Sequence, residues 1–282
     1  MVYNRQAKSL KEYKESGQGG AKFLYETAIG RIPLRLLVSP LVSKVGGAYQ
    51  KSFLSRPSIR PFMKKHSIEL PEEDVKAFRS FNDFFTRPKE VVAQSEDPAA
   101  LLSVADSKLL YYPITDDLKV KIKRSIYDLE DILEDKELAD SYRGGTCLIF
   151  RLCVDDYHRY HFPDNGKVLS VKHIKGQLHT VRSISEKYRV YTRNAREVSI
   201  LETDHLGKVV QVEVGALLVG KIRNRPLETF SRMEEKGHFE FGGSTVMLLI
   251  NKPIRFDDDI AEMNSKDIET QVRVGEQIGV LC

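Results

Sequence analysis

The strongest constraint on this chain is a series of short apolar runs in its second half. They lie at 147–154, 168–174, 178–183, 197–202, 209–222 and 246–250, with turn residues between them. Most are of strand length, too short for core helices, and together they predict a β-dominated body. The front reads differently. In 21–65 apolar residues recur at helical spacing (Leu34, Leu37, Val38, Leu41, Val42), interrupted by Pro33 and Pro40 and interleaved with Lys and Arg. Short amphipathic helices are expected there. The fold class is therefore α+β: a helical amphipathic N-terminal region, 1–65, followed by a β-rich domain, 66–282.

Between these parts, the run Ser80-Phe81-Asn82-Asp83-Phe84-Phe85-Thr86-Arg87-Pro88 reads as an aromatic helix end stopped by Pro88. Leu118–Lys123 alternates like a half-buried strand, and Ser125 looks like the N-cap of a helix reaching Ala139. Residues 1–20 are polar, end in Gly-Gln-Gly-Gly, and read as a loose leader.

Charge sharpens the contrast. The net charge is +4, but residues 1–65 hold thirteen Lys/Arg against three Glu, about +10, leaving the remainder at about −6. A basic amphipathic front suits an anionic bilayer surface, and equally a cap packed on the domain. Nucleic acid is disfavoured, because the basic residues are not interleaved with an aromatic β-platform. No stretch reaches the roughly eighteen apolar residues of a membrane span. Residues 23–42 come nearest and are broken by Glu26, Arg31 and Arg35. The first residues lack the apolar core of a signal peptide. Three unpaired-looking cysteines, Cys147, Cys153 and Cys282, fit neither a disulfide framework nor a zinc knuckle and point to a reducing compartment.

Four segments could carry chemistry. Asp106 sits among small residues before a strand, in Ser103-Val104-Ala105-Asp106-Ser107. His158 and His161 lie three apart in Asp155-Asp156-Tyr157-His158-Arg159-Tyr160-His161-Phe162-Pro163. No Glu or Cys flanks them at ligand spacing, so acid–base work is favoured over a metal, beside the plain reading of a polar turn. Asn194–Glu197 followed by Val212–Ile222 reads as a central strand or as the wall of an apolar pocket.

The fourth is Phe239-Glu240-Phe241-Gly242-Gly243-Ser244-Thr245-Val246. It is not a nucleophile elbow, since Val246 stands where the second glycine belongs, and it lacks the lysine of a P-loop. It reads as a hairpin turn between two strands, or as a self-cleaving bond. Glycine at 243 leaves its carbonyl open to the Ser244 hydroxyl; attack gives an ester, and loss of the Ser244 α-proton then cuts the chain and leaves a pyruvoyl cap. Such a step needs a base and a carboxylate to orient it.

In order along the chain, Phe81–Pro88, Ala105-Asp106-Ser107, Asp156–Pro163, Val214-Gly215-Ala216 with Val219-Gly220, and Phe241–Thr245 resemble the pyruvoyl-dependent phosphatidylserine decarboxylase family, over roughly 75–282. One departure is Gly242, where the family often has a bulky residue before Gly-Ser. The resemblance implies self-cleavage between Gly243 and Ser244, giving chains 1–243 and 244–282 that stay associated. Ser244 would become the pyruvoyl group, which forms a Schiff base with the headgroup amine. Asp106 would orient His161, the base for cleavage, and His158 would handle the proton in decarboxylation. It further implies phosphatidylserine in an anionic membrane as substrate, phosphatidylethanolamine as product, no metal, and a peripheral place on the cytoplasmic face of the membrane, and it leaves a homodimer open. Another aminoacyl headgroup lipid is the alternative substrate. A non-enzymatic membrane binder and a hydrolase using Ser244 directly are the other readings.

Overall fold

A computed structural model of the chain describes residues 1–12, 18–123, 125–180, 188–216, 221–240, 242 and 244–282. The architecture is α+β. Helices Gln18–Glu26, Arg31–Leu37, Pro40–Lys51, Ile59–His66, Glu72–Ala77 and Phe81–Phe85 make up the front, with a 3-10 turn at Phe53–Ser58. The aromatic helix starts where Ser80 Oγ accepts the Asp83 N–H. Its Phe81, Phe84 and Phe85 are buried beside Ile59 and Val75.

Ten strands form one sheet. Their spatial order is Thr229–Phe230, Gly166–Ile174, Arg196–Thr203, Gly207–Val214, Ser244–Ile250, Thr146–Leu152, Ser107–Pro113, Glu269–Val272, Val2–Asn4, Ser9–Lys11. Neighbours are antiparallel except Val2–Asn4 and Glu269–Val272, which run parallel. The central strands are apolar at nearly every position because both faces are covered. Leu148, Phe150, Leu152, Val246 and Leu248 belong to one core with Tyr160, Phe162 and Phe239. Cys147, Ile149, Met247 and Leu249 belong to the other, with Ile132, Val210 and Val212.

Four sequence expectations are corrected. The N-terminus is no loose leader: Val2–Asn4 pairs in register with Glu269–Gln271, and Arg5 bonds Asp257, Asp259 and Glu276. Backbone pairing and a three-carboxylate clamp fix a polar segment that has no apolar signal. Ser125 caps no helix: Ser125–Asp128 is a strand paired with Lys119–Ile122, and the helical part is two short helices, Leu129–Leu133 and Lys136–Asp140. No strand forms at Leu178–Thr180, and 181–187 lie outside the described residues. The run 209–222 is not one strand: Gly207–Val214 ends before Gly215, and Ile222–Asn224 joins a different sheet.

The Gly-Gly-Ser stretch is not a hairpin either. Glu235–Phe239 pairs with Ile222–Asn224 and Arg159–His161 in a three-stranded sheet. Ser244–Ile250 instead lies between Gly207–Val214 and Thr146–Leu152 in the large sheet. The chain crosses from one sheet to the other at 240–243. Gly242 takes φ +130° there, a conformation that a side chain would strain. Phe241 and Gly243 lie outside the described residues.

Candidate active site

The sheet register gathers the predicted residues at one end. Ser244, the first residue of its strand, pairs with Leu152, and on the other side Thr245 pairs with Val214. Beyond Leu152, Lys108 pairs with Arg151, so Ser107 opens the next strand at the same level as Ser244, with Asp106 just before it. Two strand spacings separate them, about 10 Å between backbones. The Ser244 side chain is buried, and its Oγ has no hydrogen-bond partner among the described residues. A buried hydroxyl left unpaired costs free energy and calls for a reason.

Asp106 has two partners. Oδ1 accepts the Val274 N–H at 2.8 Å, and Oδ2 accepts Lys89 Nζ at 2.6 Å. Lys89 also lies 4.5 Å from the centre of the Tyr157 ring. Beside this group is a cleft of about 700 Å³, whose lining includes Arg87, Lys89, Asp106, Tyr157 and Arg273.

His161 is fixed through its backbone: its N–H donates to the Val104 carbonyl, two residues before Asp106. The ring stacks on Tyr157 at 6.4 Å, and Nδ1 is buried without a partner among the described residues. Burial first, and then the Lys89 charge, push its pKa down to about 4. Thus His161 and Asp106 lie close, but the expected hydrogen bond between them is not formed.

His158 is more deeply enclosed. Its ring stacks on Phe85 at 4.1 Å, Nε2 lies 2.9 Å from the Cys153 carbonyl oxygen, and Nδ1 is buried without a partner among the described residues. Burial pushes it down to about 3, so the imidazole is neutral at ordinary pH.

Sequence reasoning missed several supporting groups. Lys108, in an apolar strand, makes a buried ion pair with Asp156. Asn194 is fully buried; its amide donates to the carbonyls of His179 and Gly215 and accepts the His179 N–H, pinning Gly215 at the end of the strand beside Ser244. Asn194 and Asp156 stood inside quoted segments, yet nothing local told which polar residues turn inward. Lys89 had no signal beyond its position after Pro88.

A serine opening a core strand, two neutral buried imidazoles and a carboxylate at one end of a sheet have the makeup of an acid–base enzyme site built into a β-body. The model of the family named phosphatidylserine decarboxylase matches residues 79–280. The chain is 47% identical to phosphatidylserine decarboxylase proenzyme 2 of Clostridium acetobutylicum over 283 residues, 99% of this chain and 97% of that protein. It is 40% identical to the phosphatidylserine decarboxylase proenzyme of Ruminiclostridium cellulolyticum, over 99% of this chain and 96% of that one. It is 38% identical to the proenzyme of Desulfitobacterium hafniense, over 99% and 97%. The chain belongs to the phosphatidylserine decarboxylase family.

Proposed function

We propose that this chain is a proenzyme that cuts itself between Gly243 and Ser244 and then decarboxylates phosphatidylserine to phosphatidylethanolamine at a pyruvoyl group made from Ser244. The observation that carries the reading is the Ser244 hydroxyl, buried at the head of a core strand and without a hydrogen-bond partner among the described residues. Unbonded, it is free to aim at the preceding carbonyl, as a nucleophile must.

The neighbouring groups fit the roles. His161, neutral and buried, acts as the base for cleavage once Asp106 orients it. The pyruvoyl carbonyl, once made, supplies the electron sink for the pair left on the headgroup carbon as CO2 departs. His158 handles the proton at that carbon, through the nitrogen that has no partner among the described residues. The surrounding apolar side chains keep water away and favour loss of a charged carboxylate as a neutral molecule.

The cut would leave chains 1–243 and 244–282. Strands Ser244–Ile250 and Glu269–Val272 of the smaller chain are each flanked on both sides by strands of the larger one, which supports their staying together. Among the described residues no helix is long and apolar enough to cross a membrane. The front exposes Phe23, Ile29, Ile32, Val45, Tyr49, Phe53 and Leu54 among its Lys and Arg, which supports peripheral docking on an anionic bilayer, in this reading at the cytoplasmic face. Intact mass tests the whole reading. Fresh active protein should give two masses, for 1–243 and for 244–282 lacking a free amine, and a single mass for 282 residues in active protein would overturn it.

A further inference from the structure

The residues that set His158 are not its ring neighbours alone. Lys108 Nζ lies 2.6 and 2.8 Å from the two oxygens of Asp156. Asp156 Oδ2 also accepts the Cys153 N–H at 2.7 Å, and the Asp156 N–H donates to the Cys153 carbonyl at 3.0 Å. That same carbonyl faces His158 Nε2 at 2.9 Å. A carbonyl oxygen only accepts, so Nε2 must carry the hydrogen, and in a neutral ring Nδ1 is then a bare lone pair. Lys108 itself stands two residues after Asp106, on a strand of the main sheet.

We infer that Lys108 and Asp156 are positioning residues for decarboxylation: they tie the loop 153–158 to the main sheet, aim the Cys153 carbonyl at His158, and so select the imidazole tautomer whose Nδ1 receives and returns the proton. This rests on the reading of His158 as the proton handler. The ion pair is buried on both sides, and a buried pair is weak as a source of stability but effective in fixing one arrangement. Its Asp156 carboxyl is pushed up to about 6 by burial, against the pull of Lys108, so the clamp also loosens in mild acid. Cleavage draws on Ser244, His161 and Asp106 instead, so the clamp should matter to the second reaction and not to the first.

The test uses the full chain and phosphatidylserine vesicles. Lys108→Met should cleave completely and keep its KM, while kcat falls about 10- to 100-fold, the size expected for a misplaced catalytic group. In 15N spectra of the histidine rings, His158 should be the Nε2–H tautomer in wild-type protein and a mixture in Lys108→Met. Where Lys108→Met fails to accumulate folded, the double variant Lys108→Met/Asp156→Asn, which leaves no unpaired buried charge, is read in its place with the same expectation. A wild-type kcat with an unchanged tautomer overturns the inference, and so does loss of cleavage in the double variant. His158→Ala, run in parallel, separates the two layers. If it decarboxylates normally the role of His158 is wrong, and the tautomer spectrum alone then decides whether Lys108 and Asp156 orient the ring.

Discussion

The Asp106 carboxylate is held by Lys89 at 2.6 Å, while Nδ1 of the nearby His161 has no hydrogen-bond partner among the described residues. Lys89 therefore competes with His161 for the carboxylate that should orient it. Burial and the Lys89 charge also hold the imidazole down, at about 4. Removing that charge should free Asp106 and make His161 a stronger base. We expect Lys89→Met to self-cleave severalfold faster, with the acid limb of its pH–rate profile moved upward from about 4 towards the ordinary 6.5. Fragment appearance during cell-free synthesis at several pH values reads this, and an unchanged profile would show that Lys89 merely decorates the site.

The histidines should separate by reaction. Ser244→Ala and His161→Ala should each leave one uncut, inactive chain. His158→Ala should cut yet lose about 10²- to 10⁴-fold in decarboxylation, the usual contribution of a general acid–base group. Gel mobility and CO2 release check both. Identical behaviour of the two histidine variants would mean that their roles are assigned wrongly. Because Ser244 Oγ is buried with no partner among the described residues, Ser244→Ala should melt at or above the wild-type precursor temperature.

Acid should unfold the protein through these same rings. His158 and His161 are held near 3 and 4 when folded, against about 6.5 unfolded. Between those values the unfolded chain binds more protons, so stability rises with pH in that window. Their contribution is whole above pH 6.5 and disappears as pH falls through 4 and 3, about 5 kcal/mol for His158 and about 3 kcal/mol for His161. Urea midpoints of the uncut Ser244→Ala protein should be flat from pH 7 to 8 and fall steadily from 6.5 to 4. His158→Phe in that background, able to keep the stack on Phe85, should reduce the slope.

The exposed apolar residues of the front give a prediction on binding. Ile29 and Ile32 are each about 70% exposed, at 73% and 69%. Burying such a side chain in a bilayer interface is worth about 1.5–3 kcal/mol. Ile29→Glu/Ile32→Glu should therefore weaken co-sedimentation with anionic vesicles at least tenfold while self-cleavage proceeds as before. Equal binding by the double variant would place the docking face elsewhere.

By itself the sequence determined the elements whose cause is local. Helical spacing in 21–65 and most of the strand-length apolar runs follow from side-chain chemistry within a few residues. It also offered Asp106, His158, His161 and Ser244 as candidates, because their motifs occur in a specific order. Only the tertiary structure decided which strands meet. The hairpin expected around Gly242 gave way because Glu235–Phe239 and Ser244–Ile250 each found partners far away in the chain. The same is true of Val2–Asn4 beside Glu269–Val272, of Lys108 turned inward onto Asp156, and of Lys89 on Asp106. Periodicity records how a strand's faces differ. It does not record which distant strand or charge completes them, since that depends on pairing energies between segments tens to hundreds of residues apart.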